Sequence, residues 1–280
     1  MNAGTTIDRV VIGYDGSPSA DAALDAAIEE ARARGVRLHV VHAIDVLLFL
    51  PGRDDRHEKA AQRAVQDAYA RAAAVLGEHA VTTHIEPGVA SHVILGQAQA
   101  GDLVVLGSHG FRPVAQLFVG STSEGVAAHA QCPVLVVRDP AQHPHGHIAV
   151  GVDESPGSVL ALRHALSIAA RDGATVRAIA AVPTIIDAAG MIAGPDEVAL
   201  KESATRLAHT VAEVSGDSAV TVEQHVVQAH PIEALHEHSR TARLLVVGSR
   251  GRNAVASMVL GSVSRRLVHT AYCPVLVIHS

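Results

Sequence analysis

The sequence contains no tryptophan, and aromatic residues make up only 2% of its 280 positions. Proteins that bind single-stranded nucleic acid stack the bases on aromatic side chains, so this composition argues against that class. Positive charge is also scarce, because 22 Lys and Arg stand against 28 Asp and Glu and leave a net charge of −6. No basic surface for nucleic acid or for anionic lipid is therefore expected.

Cysteine and long apolar runs are equally rare. Two cysteines cannot form a disulfide framework, and this usage is typical of a reducing compartment. No apolar run reaches the ~20 residues needed to span a bilayer, and residues 1–8 lack the basic and apolar regions of a signal peptide. We therefore expect a cytoplasmic protein without membrane insertion.

What the chain does contain is an internal duplication. Hydrophobic residues make up 48% and charged residues 18%, which is typical of a folded protein. Residues 102–138 align with residues 243–279 at an offset of 141, and 16 of these 37 positions are identical. Near the start of each half the offset is 138, where Gly13, Asp15 and Ser17 match Gly151, Asp153 and Ser155. The repeat has the length of a whole domain and predicts two domains, 1–141 and 142–280.

Each half alternates short apolar strands with helices. Ser17-Pro18 is typical of a helix start and Gly35 of its end. Strands are predicted at 10–14, 36–43, 81–86, 103–106 and 134–137, and at 148–152, 175–182, 220–227, 244–247 and 275–278. Further helices are predicted at 56–76, 89–100, 121–130, 155–171, 197–214, 231–240 and 262–270. Such alternation with short connections predicts an α/β fold: two tandem doubly wound domains, each a parallel sheet with helices on both faces.

The residues that suggest chemistry follow the predicted strands. In an open parallel sheet, ligands bind beyond the carboxyl ends of the strands. Asp15 and Asp153 end the first strands, where a carboxylate could accept hydrogen bonds from ribose hydroxyls. Glycines let the backbone approach a ligand closely, and a helix N-terminus favours phosphate. Two such blocks recur in both halves: Gly107-Ser108-His109-Gly110 with Gly120-Ser121-Thr122-Ser123, and Gly248-Ser249-Arg250-Gly251 with Gly261-Ser262-Val263-Ser264. Read alone, each block could merely shape turns and cap helices.

Several other kinds of site are not indicated. The chain has no Walker A loop, no dinucleotide fingerprint after a strand and no G-x-S-x-G nucleophile elbow. Cys132 and Cys273 each precede proline and are expected to be small buried residues rather than redox sensors. Five of the 19 histidines, His143, His145, His147, His236 and His238, alternate in two short stretches. We expect these stretches to be solvated linker and helix surface, and no metal site.

The spacing G-x2-G-x9-G-[ST] resembles the nucleotide motif of the ATP-binding universal stress proteins, and the chain resembles their tandem form over nearly all of its length. The resemblance implies a five-stranded parallel sheet of order 3-2-1-4-5 and an ATP site in each half. Carried over by position, it implies that Asp15, with Gly13 beside it, holds the ribose and adenine side, while backbone near Val41 faces adenine. It also implies a cradle for ribose and phosphates made by Gly107, Gly110, Gly120, Ser121 and Thr122.

The resemblance implies the same site in the second half. The matching residues are Gly151, Asp153, Ala181, Gly248, Gly251, Gly261, Ser262, Val263 and Ser264. The remaining loop residues are Ser108, His109, Phe111, Arg112 and Pro113 in the first half and Ser249, Arg250, Arg252 and Asn253 in the second. Because the second loop carries more arginine, we expect its site to be more cationic and to bind triphosphate more tightly.

The leading hypothesis is an ATP-binding stress regulator with one adenine nucleotide site per domain. It would form a homodimer and alter an unknown regulatory protein partner through nucleotide-dependent conformation. Whether Mg²⁺ accompanies the nucleotide stays open. Two alternatives also stay open. One is a slow ATPase or adenylate-transferring enzyme, although no lysine or evident base stands near the predicted phosphates. The other is a protein-interaction scaffold whose pockets are not essential.

Overall fold

The computed structural model describes residues 6–44, 56–108, 120–138, 146–184, 196–252 and 260–279. The chain divides into two compact units, Met1–Pro140 and Ala141–Ser280. Each unit contains a five-stranded sheet whose described strand pairs are all parallel, and each is described separately below.

In unit 1 the sheet has the order β3-β2-β1-β4-β5, which confirms the expected strand order. Its strands are β1 (Arg9–Gly13), β2 (Arg37–Ile44), β3 (Val81–Pro87), β4 (Asp102–Gly107) and β5 (Val134–Val137). Its described helices are α1 (Pro18–Arg34), α2 (Arg56–Leu76), α3 (Ala90–Gln97) and α4 (Ser121–His129), with a short 3₁₀ turn at Glu78–Ala80. Because α1 packs beside α2 and α3 beside α4, right-handed crossovers place the two pairs on opposite faces.

Unit 2 repeats this arrangement with the sheet order β8-β7-β6-β9-β10. Its strands are β6 (Ile148–Gly151), β7 (Val176–Val182), β8 (Val222–Gln228), β9 (Leu244–Gly248) and β10 (Val275–Ile278). Its described helices are α5 (Pro156–Asp172), α6 (Glu197–Ser215), α7 (Pro231–His238) and α8 (Ser262–Thr270). The central strands are buried on both faces, which explains why they read as continuous apolar runs.

The predicted start and end of the first helix are confirmed. The side chain of Ser17 accepts a hydrogen bond from the backbone N–H of Ala20, and Gly35 adopts the left-handed φ of 66° that ends the helix. Unit 2 uses the same two signals, since Ser155 caps α5 and Gly173 ends it at φ 65°. Both helices therefore begin directly after the loop that carries Asp15 or Asp153.

Two helices end earlier than periodicity predicts. Helix α3 was expected to reach residue 100 but ends at Gln97, because Arg9 Nη2 on β1 donates to the Gln97 carbonyl at 2.8 Å. Helix α7 was expected to reach residue 240 but ends at His238, where the Ser239 hydroxyl donates to the His236 carbonyl at 2.6 Å. At both ends a side chain donates to one of the last carbonyls of the helix, a contact that a periodic pattern does not reveal.

A nearly buried ion pair holds the start of β1 to β4. The side chain of Asp102 is 4% exposed and accepts from Arg9 Nη2 at 2.6 Å, from Arg9 Nε at 3.2 Å and from the Gln99 N–H at 2.8 Å. Breaking one partner of such a pair leaves a desolvated charge without compensation.

We therefore expect Asp102→Asn to destabilise unit 1 by about 3 kcal/mol. Hydrogen exchange of the β1 and β4 amides measures this loss separately from unit 2. The matched control is Glu29→Gln, which breaks an ion pair to Arg32 whose side chains are 64% and 60% exposed. The control should cost less than about 0.5 kcal/mol, and equal losses in both variants would contradict the prediction.

Candidate functional site

Unit 2 contains a cavity of about 400 Å³ at the carboxyl ends of its central strands. β6, β7 and β9 end at this cavity, and α7 and α8 begin beside it. The site predicted for the second half lies here: eleven of its residues line the cavity, namely Gly151, Asp153, Ala181, Gly248, Arg250, Gly251, Arg252, Gly261, Ser262, Val263 and Ser264. Ser249 is buried and is not part of the lining. Asn253 lies outside the described residues.

Asp153 organises the mouth of this cavity. Its Oδ1 accepts from the Ser155 hydroxyl at 2.6 Å and from the Ser155 N–H at 3.1 Å, and its Oδ2 accepts from the Arg252 N–H at 3.0 Å. Burial opposes ionisation of Asp153, but the hydrogen bonds from Ser155, Arg252 and Ser158 outweigh it and lower the carboxyl pKa. The residue is therefore an anion that joins the strand end to the glycine loop.

Three glycines of the cavity lie where a side chain would collide. A Cβ on Gly248 would lie 2.7 Å from the backbone of Gly157, and one on Gly251 would lie 2.7 Å from Asp153 Oδ2. A Cβ on Gly151 would lie 2.9 Å from the side chain of Leu235. The glycines therefore do more than permit turns, because they let the strand ends, the loop and the helices approach one another.

The N-terminus of α8 faces the cavity without a side-chain cap. Gly261 occupies the N-cap position and donates its N–H to the Ser249 carbonyl at 2.7 Å, which closes the glycine loop. The first turn of α8 contains no acidic residue. The Ser264 hydroxyl is buried and donates to the Gly248 carbonyl at 2.6 Å, so it fixes the helix on the strand. This end carries the partial positive charge of the helix dipole beside Arg250 and Arg252.

Part of the cavity wall was not predicted from sequence. The additional lining residues are Val152, Ser158, Ile179, Pro183, His230, Pro231, Leu235 and Val247. Most are apolar and read in the sequence as ordinary core. Their signal was positional, because Val152, Pro183 and Val247 lie at or next to the carboxyl ends of β6, β7 and β9.

The loop after β6 forms the same backbone turn as its counterpart in unit 1, even though Glu154 must adopt an unusual φ to form it. Its φ is 66°, a left-handed value that is unusual for a residue other than glycine, and the corresponding residue of unit 1 is Gly16 at φ 80°. The Glu154 carboxylate accepts from Arg206 Nε at 2.8 Å. The same backbone turn is thus formed in both units despite different side chains.

The described part of the first predicted site has the same framework. Asp15 Oδ1 accepts from the Ser17 N–H at 2.9 Å, and the Gly120 N–H donates to the Ser108 carbonyl at 2.9 Å. Gly13 ends β1, Gly107 ends β4, and Ser121 and Thr122 begin α4. The predicted loop residues His109, Gly110, Phe111, Arg112 and Pro113 lie outside the described residues.

One predicted correspondence between the two sites is wrong. The expected counterpart of Val41 is Ala181, but Val41 pairs with Gly13 in the sheet, and the residue that pairs with Gly151 is Ile179. The carbonyls of Val41 and Ile179 accept equivalent hydrogen bonds at 2.9 Å, from Tyr14 and Val152. The offset in this region is 138, so Ala181 corresponds to Ala43.

The cysteines are placed as expected. Cys132 and Cys273 are both buried, and burial raises the pKa of the Cys132 thiol to about 12.

Within the described ranges, no group of three or more His, Cys, Asp or Glu is arranged to hold a metal ion. No described helix is both long enough and apolar enough to cross a membrane.

Comparisons with known proteins cover both units. The chain matches the Universal stress protein family over residues 6–138 and 145–279. It is 30% identical over 287 residues to a universal stress protein of Mycolicibacterium smegmatis, with 96% of each chain covered. It is 32% identical over 294 residues to one of Mycobacterium tuberculosis, again with 96% of each chain covered.

A solved structure supports the fold. A universal stress protein from Archaeoglobus fulgidus superimposes with a TM-score of 0.72 at 19% identity, covering 97% of this chain and 98% of that one. At this identity the likeness concerns the fold alone. The two family matches show that the chain belongs to the universal stress protein family of stress-response proteins and carries two family domains in tandem.

Proposed function

We propose that the chain is an ATP-binding stress regulator with one adenine nucleotide site in each domain. The observation that carries the proposal is the cavity of unit 2, where a carboxylate, a glycine loop and an uncapped helix N-terminus meet an apolar wall. Its volume of about 400 Å³ falls within the range of about 300–1,000 Å³ that is typical of small-ligand sites.

Each part of the cavity suits one part of the nucleotide. The N–H groups of α8, with Arg250 and Arg252, would bind the phosphates, because an anion is favoured at a helix N-terminus. Asp153 would accept a ribose hydroxyl, since a carboxylate offers about four lone-pair sites and three bonds from Ser155 and Arg252 are present. The apolar wall around Ile179 and Leu235 would cover adenine.

The lining favours binding over turnover. Among the described residues that line the cavity, Asp153 is the one carboxylate, and none is a lysine. Asp153 already accepts three hydrogen bonds and has a lowered pKa, so it is poorly suited to take a proton from an attacking water. We further propose that the chain has a regulatory role in the cytoplasm, as a homodimer whose nucleotide-dependent conformation is sensed by a protein partner.

The two sites are proposed to differ in strength. Arg250 and Arg252 line the cavity of unit 2, whereas the loop of unit 1 has His109 and Phe111 at these two positions and a single arginine, Arg112. Greater positive charge near the phosphates should give the second site the higher affinity for ATP. Titration with ATP in Mg²⁺ and in EDTA would show whether the metal accompanies the phosphates.

The test is the nucleotide content of the purified protein. Heat denaturation followed by ion-pair chromatography should release about two ATP per chain from the wild type, one from Gly120→Arg or Gly261→Arg and none from the double variant. The matched control is Gly96→Arg, at an exposed helical glycine whose Cβ would contact nothing within 4 Å. This control should retain both nucleotides.

Other results would favour other functions. Mainly ADP, together with hydrolysis of added ATP that Gly261→Arg abolishes, would favour an enzyme. No nucleotide in the wild type, and none acquired in millimolar ATP, would contradict the proposal and favour a scaffold.

A further inference from the structure

Unit 2 has a cluster of three half-buried histidines beside the end of α7. His147 precedes β6, His225 lies on β8 and His238 is the last residue of α7. The rings of His225 and His238 pack edge to face with centroids 5.3 Å apart. His147 Nε2 is buried and has no hydrogen-bond partner among the described residues. His147 and His238 are half-buried rather than fully solvated, so the expectation of solvated linker and helix surface holds for them only in part.

The charges near this cluster are of both signs. Arg177 on β7 lies beside it and pairs with Glu223 on β8 at 2.8 Å, while His225 Nε2 lies 3.6 Å from the same carboxylate. Glu237 is the neighbouring acid on α7. Arg243 donates its N–H to the His147 carbonyl, and its guanidinium pairs with Asp172 of α5. One acid is thus shared by Arg177 and His225, and a further proton in the cluster would be unfavourable.

His147 and His238 both resist protonation. The pKa of His147 is lowered to about 4, mainly by burial. The charges of Arg177, His238 and His225 lower it further, and Glu223 opposes the shift. Burial, His225 and Arg177 also lower the pKa of His238, against Glu237. A histidine whose pKa is lowered in the folded state takes up a proton when the structure opens. The stability that it contributes is therefore present above pH ~6.5 and is lost as the pH falls toward the folded pKa.

Unit 1 provides an internal reference for this cluster. At the offset of 138, Arg9 corresponds to His147, and at the offset of 141, Gln97 corresponds to His238. Arg9 pairs with Asp102, and the Gln97 side chain bridges His39 and His84 at 3.3 and 3.2 Å. An amide and an ion pair thus occupy the two positions where unit 2 has imidazoles.

Helix α7 connects the cluster to the cavity. It has only eight residues, Pro231–His238. Its first residue, Pro231, and the buried Leu235 line the cavity, whereas His238 lies in the histidine cluster. A change that loosens the last turn of α7 therefore acts on the same short element that forms the cavity wall.

We propose that α7 is a pH-responsive element, in which protonation of His147 and His238 below neutral pH releases the helix from the sheet and weakens ligand binding in the cavity. The part that concerns the ligand rests on the proposed nucleotide function. Release of α7 itself does not depend on that function and can be measured without nucleotide.

The first measurement is hydrogen exchange of the full chain at pH 7.5 and 5.5 without nucleotide, corrected for intrinsic exchange rates. The opening constant of α7 should rise about tenfold if the pKa of His147 returns from about 4 to about 6.5 on opening, and the lowered pKa of His238 should add to this rise. The amides of α3 in unit 1 should change less than those of α7. The variant His147→Asn/His238→Gln should remove most of the increase, and the surface control His209→Gln, 81% exposed, should retain it.

The second measurement is the affinity for ATP at the same two pH values in the Gly120→Arg background, in which only the second site is intact. The loss of affinity on acidification should be greater with the wild-type histidines than in the double variant, by an amount set by the fraction of molecules in which α7 is released. If His147→Asn does not fold, His238→Gln alone carries the test, since unit 1 has glutamine at that position.

The outcomes separate the two ideas. Equal protection of α7 at both pH values, or an equal loss in the double variant, would overturn the pH-responsive element even if ATP binds. Absence of ATP binding at either pH would refute the proposed function and the effect on ligand, while the exchange data would still decide whether α7 is released.

Discussion

Gly248→Ala is expected to destabilise unit 2 by about 3 kcal/mol, at the upper end of what one added methyl group usually costs in a packed core. The new Cβ would lie 2.7 Å from the carbonyl carbon of Gly157 and 2.9 Å from its oxygen. These are backbone atoms at the start of α5, so they cannot move aside as the end of a flexible side chain can. Relief requires a shift of α5 against β9.

Unit 1 offers a second test of the same contact. A Cβ on Gly107 would lie 2.6 Å from the carbonyl oxygen of Ser19 on α1, so Gly107→Ala should destabilise unit 1 by a similar amount. Hydrogen exchange separates the two units, so each variant should lose protection only in its own sheet. A shift of α5 would also move Ser155 and Asp153, and Gly248→Ala should therefore weaken ATP binding at the second site.

The control for both variants is Gly96→Ala. Gly96 lies in α3 with nothing within 4 Å of its Cβ position, so alanine should stabilise the helix by about 0.5 kcal/mol. The change from glycine to alanine is thus expected to raise the free energy of unfolding at Gly96 and to lower it at Gly248. A loss smaller than about 1 kcal/mol in both Gly107→Ala and Gly248→Ala would show that the helix starts adjust without strain.

The fold could be predicted because its signals are local. Apolar runs such as Val10–Ile12 become strands buried on both faces, and Ser17 and Gly35 bound their helix as their chemistry predicts. The duplication added evidence that no single motif supplies, since Asp153 and Gly248 recur at the positions of Asp15 and Gly107. The polar part of the candidate site was therefore visible before any coordinates.

The rest depends on which residues the fold brings together. Leu235 lines the cavity because α7 lies against β6, and His147 is half-buried just before β6, near His225 and His238 from other elements. The sheet register shows that Val41 corresponds to Ile179. The sequence alone left this correspondence ambiguous, because the offset between the two halves changes from 138 to 141 along the chain. Sequence periodicity marks such residues as core or surface but does not give their neighbours.

Asp153→Ala is expected to weaken ATP binding at the second site by about 100-fold. A hydrogen bond to a charged group contributes about 1.5–3 kcal/mol, and the variant removes both the acceptor for ribose and the bond that holds the Arg252 N–H. The glycine loop would then be less well ordered around the phosphates. Asp153→Asn should lose less, because the amide oxygen can still accept from Ser155.

The measurement is calorimetric titration with ATP in the Gly120→Arg background, so that only the second site contributes. Asp217→Ala, which removes an exposed carboxylate after α6, is the matched control and should bind ATP as the parent does. Hydrogen exchange of residues 250–252 without nucleotide separates the two causes of the loss. Unchanged protection of the loop would assign the loss to the ribose contact, whereas reduced protection would show that Asp153 also positions the loop. Full affinity in Asp153→Ala would mean that the carboxylate serves only the turn at Ser155, and that the nucleotide is held by α8 and the two arginines.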